Sequence, residues 1–80
     1  MDIREVFARN LRKARNARCL SQEALAHEAG VDRTYVSALD RGVYNATIVM
    51  VAKLAKALDV EPSELLRGGA KPKTRKRKSL

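Results

Sequence analysis

Residues 21–42 read SQEALAHEAGVDRTYVSALDRG and contain the clearest structural pattern in the chain. Ser21 and Asp32 are of the residue types that cap helix N-termini, and each precedes a short run with apolar residues at helical spacing. Gly30 lies between the two runs, and glycine readily takes the left-handed conformation that ends a helix. The stretch therefore predicts two short helices, over about residues 22–29 and 33–40, joined by a tight turn.

Three residues inside this stretch satisfy separate packing requirements. Counted from Gln22, small Ala26 stands fifth, Gly30 ninth and Val36 fifteenth. A small side chain at Ala26 lets the two helices approach closely, and Gly30 supplies the backbone angle of the turn. The wedge between the helices is filled by Val36 together with Leu25, Val31 and Leu39. This combination is typical of a helix-turn-helix, whose second helix projects side chains that can read DNA bases.

Helices are also predicted on both sides of this unit. Apolar residues at helical spacing indicate a first helix over about Ile3 to Arg18, a fourth over about Ile48 to Leu58 and a short fifth near residues 62–66. Ile3 and Ile48 are expected on the buried faces of their helices. Aromatic residues make up only 4% of the chain, so the core must consist of Ala, Leu, Val and Ile. We expect one all-α, five-helix domain over residues 1–67, followed by a basic, disordered tail over residues 68–80.

The net charge of +8 is concentrated at the C-terminal end. Residues 67–80 contain seven basic residues and no acidic one, which leaves ten basic and nine acidic residues for the rest of the chain. Such segregated charge favours a polyanionic partner. The tail is interpreted as a nonspecific DNA anchor, with a merely solubilising tail as the alternative. Its basic residues are Lys71, Lys73, Arg75, Lys76, Arg77 and Lys78.

Several classes of site are not expected. Cys19 is the single cysteine, which excludes an internal disulfide and is too few for a zinc site. His27 is expected on the surface of the second helix, Asp32 as a helix cap and Asp40 as a surface charge. No arrangement of these residues predicts an enzyme, a cofactor or a metal site. No apolar run is long enough to span a membrane and no secretory signal is present, so a soluble intracellular protein is expected.

The stretch SQEALAHEAGVDRTYVSALDRG, followed by LAKALDVEPSELL, resembles the Cro/C1-type helix-turn-helix regulators, also called the XRE family. The resemblance covers about Ile3 to Leu66, and through AGVDRTYVSALDRG it extends to the controller proteins of restriction–modification systems. It implies a lambda-repressor-like fold and a repressor or activator of transcription in the bacterial or phage-infected cytoplasm, associated with the nucleoid. Such a regulator occupies a DNA site, where it blocks or contacts RNA polymerase.

The resemblance also implies roles for individual residues. The third helix would enter the major groove of double-stranded DNA, where Arg33 is the best base reader because a guanidinium can bond guanine O6 and N7 together. The complete set of expected base-reading residues is Arg33, Thr34, Ser37 and Ala38. The residues expected to hold the DNA backbone are Gln22, Tyr35, Arg41, Tyr44 and Asn45. Cys19 departs from the family, since a helix-ending glycine is common at its position.

A homodimer is expected, because two copies of the third helix about 34 Å apart would read a near-palindromic operator. Val49 and Met50 are apolar where the family usually has polar residues. The predicted dimer patch consists of Val49, Met50 and Val60 together with Leu65 or Leu66; scattered surface apolar residues are the alternative. Two other functions remain open: an antitoxin-like autoregulator that binds a partner protein, and a charge-driven, nonspecific nucleic-acid binder.

Overall fold

The computed structural model describes residues 2–68, and within them it contains five α-helices and no strand. The helices are α1 (Ile3–Ala17), α2 (Gln22–Ala29), α3 (Arg33–Asp40), α4 (Ile48–Leu58) and α5 (Pro62–Leu66). The prediction of an all-α, five-helix fold is confirmed, and only the end of α1 differs, by one residue. Except for Gly68, the predicted tail over residues 68–80 lies outside the described residues. Among the described residues, none of the helices has both the length and the apolar character needed to cross a membrane.

The helices begin where side chains satisfy the first free backbone N–H groups. Ser21 Oγ accepts a hydrogen bond from the backbone N–H of Ala24 at 3.0 Å, and Thr47 Oγ1 accepts one from Met50 at 3.0 Å. Asp32 occupies the N-cap position of α3, but its side chain forms no capping hydrogen bond. Asp32 therefore lies at the predicted N-cap position, but the prediction that its side chain caps the helix is wrong.

A left-handed residue follows four of the five described helices, α1 to α4. Gly30 has φ +73°, and the next residue, Val31, donates its N–H to the Ala26 carbonyl at 2.9 Å. Cys19 and Asp59 fill the same role after α1 and α4, with φ of +56° and +60°. The connection at residues 18–20 is therefore built like the one after α2, although it lacks the glycine common in the family.

A single apolar core fixes the relative positions of α2 and α3. Its fully buried members come from every helix, and the largest are Leu11, Leu25, Val36, Leu39, Leu54, Leu58 and Leu65. Because α3 contributes Val36 and Leu39, its inner face is anchored and its opposite face is directed away from the core.

Two residues expected in the core lie outside it. Ile3 is 56% exposed and Ile48 is 83% exposed, so their predicted burial is wrong. Each is the first residue of its helix, and burial begins one turn later, at Val6 and Val51. The apolar pattern of each helix thus begins one turn before the point at which the helix contacts the core.

Candidate nucleic-acid interface

The outer face of α3 carries the predicted base-reading residues. Arg33 and Thr34 form the exposed first turn of α3, while Ser37 and Ala38 are half-buried further along it. Val36 and Leu39, on the inner face, hold the helix against the core. The exposed end of α3 is thus a rigid platform with one guanidinium and one hydroxyl directed away from the core.

Four of the five residues predicted to hold the DNA backbone lie at or beyond the ends of the α2–α3 unit, and the fifth, Tyr35, lies within α3. Gln22 is the first residue of α2 and is half-buried, with its side-chain Nε2 donating to Asp40 Oδ2 at 3.0 Å. Arg41 directly follows α3 and is exposed, with its Nε 3.4 Å from the Ser37 carbonyl. Tyr44 and Asn45 are exposed in the connection between α3 and α4.

Tyr35 and Tyr44 form one aromatic pair, with ring centroids 5.1 Å apart. Burial is the main cause that raises the pKa of the Tyr35 hydroxyl, and the nearby Tyr44 raises it further. A backbone hydrogen bond with Thr47 lowers the same pKa by a smaller amount. The Tyr35 hydroxyl is therefore neutral at neutral pH and can donate a hydrogen bond.

Asp40 is a buried residue that sequence reasoning placed on the surface. Its side chain is buried, and its Oδ2 accepts hydrogen bonds from Arg15 Nη2 and Gln22 Nε2, each at 3.0 Å. The prediction of a surface charge is wrong because Asp40 follows Val36 by four residues and so shares its inward face. That spacing was the signal in the sequence.

An open apolar groove is formed by the starts of α1 and α4, the end of α5 and the connection between α3 and α4, which contributes Tyr44 and Asn45. Its volume is about 240 Å³, and Ile3, Phe7 and Leu66 contribute to its lining. Ile48 and Val49 are exposed on the first turn of α4.

The predicted dimer residues divide into three groups. Val49 is 66% exposed and Leu66 is 40% exposed, so both are available to a partner. Met50 and Val60 are half-buried and pack against the core. Leu65 is a core residue with 1% exposure, so its proposed place in an interface is wrong. α5 turns Leu65 inward and leaves only its neighbour Leu66 on the surface.

Within residues 2–68, no cluster of three or more His, Cys, Asp or Glu side chains could hold a metal ion. Cys19 is an exposed free thiol in the connection after α1. His27 is exposed on α2, as expected. Asp2 is exposed, and its hydrogen bond with Arg4 lowers its pKa to about 2.

Two eight-residue helices, a glycine-ended turn between them and an exposed first turn on the second form a helix-turn-helix, the arrangement of DNA-binding transcription regulators. The resemblance inferred from residues 21–42 is confirmed at the level of the family. The chain belongs to the HTH_3 helix-turn-helix family, which matches it over residues 11–65. Members of this family act by binding DNA and not as enzymes, which agrees with the sequence-based expectation.

Controller proteins are among its similar proteins. The chain is 44% identical over 72 residues to control protein C.SmaI of Serratia marcescens, covering 89% of this chain and 86% of the relative. The crystal structure of the restriction–modification controller protein C.AhdI from Aeromonas hydrophila is 50% identical, with a TM-score of 0.73 over 75% of this chain and 91% of that chain. The C.Esp1396I tetramer, solved with its natural 35 base-pair operator, is 27% identical, with a TM-score of 0.72 over 84% and 99% of the two chains.

Proposed function

We propose that α3 enters the major groove of an operator and that Arg33, Thr34, Ser37 and Ala38 contact its bases. The observation that carries this proposal is the division of α3 into a buried face and an exposed first turn. Arg33 is the main reader, because its planar guanidinium matches the two acceptors of guanine. Thr34 contacts a thymine methyl group or a phosphate, Ser37 adds a less selective hydrogen bond, and Ala38 offers a methyl contact.

The DNA backbone is held on both sides of α3 in this arrangement. The start of α2 contributes the Gln22 amide and the free N–H groups of its first turn, which suit a phosphate oxygen. Arg41 supplies a charge at the end of α3, and Tyr35, Tyr44 and Asn45 supply polar contacts on the flank. Because phosphate contacts carry no sequence information directly, these residues fix the orientation of α3.

Selection from randomised duplex DNA tests this function. The expected result is enrichment of one near-palindromic sequence whose half-sites are separated by about one DNA turn. Equal recovery of all sequences would instead identify a charge-driven, nonspecific binder. Purification from the native host with a second small protein would favour the antitoxin-like function.

A second copy of this chain is the proposed occupant of the apolar groove. Ile3 and Leu66 are exposed apolar residues in its lining, and Ile48 and Val49 are exposed on the first turn of α4. The oligomeric state of C.Esp1396I, a tetramer on its operator, supports self-association as the use of such a surface. Of the predicted patch, Val49 and Leu66 lie at the centre of the contact, and Met50 and Val60 contribute their exposed atoms.

Sedimentation at micromolar concentration tests the dimer. The unaltered protein should sediment as a dimer, and Val49→Asp should yield a folded monomer, because a carboxylate is costly to bury in an apolar contact. Ala17→Asp introduces the same charge at the opposite, exposed end of α1 and should leave the dimer intact. A monomer for the unaltered protein, with and without operator, would contradict the proposal.

The basic tail is proposed to act as a nonspecific anchor. All six of its basic residues fall within residues 71–80, where each phosphate contact would release a counterion and add to the salt dependence. Deleting residues 70–80 should therefore weaken binding to operator and random duplex by similar factors and flatten the salt dependence. A loss confined to the operator would refute the anchor.

Control of transcription follows from occupancy of the operator. A dimer bound over a promoter blocks RNA polymerase, and one bound upstream contacts it. Either activity associates the protein with the bacterial nucleoid. A promoter–reporter assay with the operator moved between these two positions distinguishes repression from activation.

A further inference from the structure

Asp40 connects the end of the reading helix to the first residue of α2. It is the last residue of α3 and is 4% exposed. Its Oδ2 accepts a hydrogen bond from Gln22 Nε2 at 3.0 Å, across 18 residues of sequence. Gln22, which is proposed to hold a phosphate, is thus hydrogen-bonded to the last residue of α3, the helix proposed to read the bases.

Two arginines of α1 hold Asp40 in place. Arg15 Nη2 donates to the same Asp40 oxygen at 3.0 Å, and Arg15 Nη1 donates to the Leu20 carbonyl in the connection between α1 and α2 at 2.9 Å. Arg12 Nη1 donates to the backbone carbonyl of Asp40, at the end of α3. The Asp40 carboxylate is therefore held by α1 before any DNA is present.

The ion pair between Arg15 and Asp40 does not take its usual two-bond form. A guanidinium and a carboxylate can form two parallel hydrogen bonds. Here one carboxylate oxygen serves both Arg15 and Gln22, whereas Asp40 Oδ1 and Arg15 Nε are buried without a hydrogen-bond partner within residues 2–68. The shared oxygen therefore links Gln22 to the carboxylate that pairs with Arg15.

The Gln22 amide retains a donor while it is bonded to Asp40. A glutamine amide carries two N–H groups, and Asp40 accepts from one of them. Gln22 is half-buried at the start of α2, so part of its side chain remains accessible to solvent. Since glutamine loses much rotamer freedom when it is immobilised, ordering it before binding removes that cost from the association step.

We propose that Asp40 is a positioning residue for DNA binding, which holds the Gln22 amide ready for a phosphate and in fixed register with α3. This inference rests on the proposed phosphate contact of Gln22. Asp40 itself touches no DNA and acts through Gln22 alone. Its substitution therefore weakens binding only while Gln22 is present.

A double-mutant cycle on operator binding tests this coupling. Asp40→Asn keeps the shape of the side chain and removes the charge that orders Gln22, while Gln22→Ala removes the phosphate contact. Because residues of one hydrogen-bond network are not independent, we expect about a fivefold loss of affinity for Asp40→Asn, about a tenfold loss for Gln22→Ala and about a tenfold loss for the double variant. Asp59→Asn makes the same change of charge at the exposed end of α4 and should bind like the unaltered protein.

The affinities are compared at a temperature at which circular dichroism shows every variant to be folded. Losses that multiply in the double variant, to about fiftyfold, would overturn the coupling. If selection from randomised duplex DNA enriches no sequence for the unaltered protein, the proposed function itself is refuted. Gln22 is the only glutamine in the sequence, so its side-chain amide signals can be identified by NMR. Asp40→Asn should shift these signals in the DNA-free protein, and unchanged signals would also overturn the proposal.

Discussion

The ring of Tyr44 meets the ring of Tyr35 edge to face, with the ring planes at 86° and the centroids 5.1 Å apart. Tyr35 lies on α3, whereas Tyr44 lies in the connection that leads to α4. Edge-to-face pairs stabilise a fold beyond the effect of the area they bury. The connection is therefore attached to the helix that carries Arg33, and its exposed Asn45 keeps a defined position relative to that helix.

Removing the Tyr44 ring should lower the stability of the domain. For Tyr44→Ala we expect the free energy of unfolding to fall by about 0.5–1.5 kcal/mol, the usual contribution of such a pair. Tyr44→Phe preserves the ring and should remain close to the unaltered protein. Val43→Ala is the matched control, because Val43 is the exposed neighbour in the same connection. Urea denaturation supplies the comparison, and equal values for Tyr44→Ala and Val43→Ala would contradict a contribution from the pair.

Arg33→Ala should reduce operator affinity selectively. Loss of a bidentate guanine contact weakens binding to the operator by about 1–3 kcal/mol and has much less effect on random duplex. Arg18→Ala removes the same charge from the exposed end of α1 and should affect both duplexes slightly and alike. Fluorescence anisotropy titrations at one salt concentration measure both affinities. Equal losses on operator and random DNA would show that Arg33 contributes charge and no base recognition.

Ser21→Ala should destabilise the domain through the first turn of α2. The Ser21 hydroxyl accepts the Ala24 N–H at 3.0 Å, and loss of such a cap costs about 1 kcal/mol of folding free energy. Ser63→Ala is the control, because Ser63 is exposed within α5 and is not at its N-cap position. Thermal unfolding of the two variants measures the difference. A Ser21→Ala protein as stable as Ser63→Ala would show that the cap contributes nothing.

Alkaline pH should weaken the fold through Tyr35. Burial raises the pKa of Tyr35 above its ordinary value of 10.0, so the folded state favours the neutral hydroxyl. The resulting stability is fully present below pH 10 and is lost as the pH rises through the raised pKa. In Tyr35→Phe this loss should be absent, so the difference in stability between the two proteins should change above pH 10. A difference independent of pH between 9 and about 12 would contradict this assignment.

The limits of the helices were predictable because local signals set them. Ser21 and Thr47 mark helix starts through contacts only three residues away, and Gly30 marks an end through its own backbone angle. The inner face of α3 was also predictable, because Val36 and Leu39 share the helical period. The exposure of Arg33 and Thr34 in the first turn of α3 was predictable from the same helical period.

The contacts between helices were not predictable from local signals. Asp40 and Arg15 are 25 residues apart, and only the packing of α3 against α1 brings them together. The exposure of Ile3 and Ile48 depends likewise on where neighbouring helices end, which no period within one helix records. The same dependence places Leu65 in the core and Leu66 on the surface.

Two of the chain reversals described above are made without glycine, and this leaves room for engineering. Cys19 and Asp59 adopt the left-handed conformation, which costs a residue with a Cβ about 1–2 kcal/mol relative to the right-handed one. Both are exposed and lie outside the α2–α3 unit. Cys19→Gly would relieve this strain and also remove the exposed thiol, so a more heat-resistant regulator that forms no intermolecular disulfide is accessible with its reading surface unchanged.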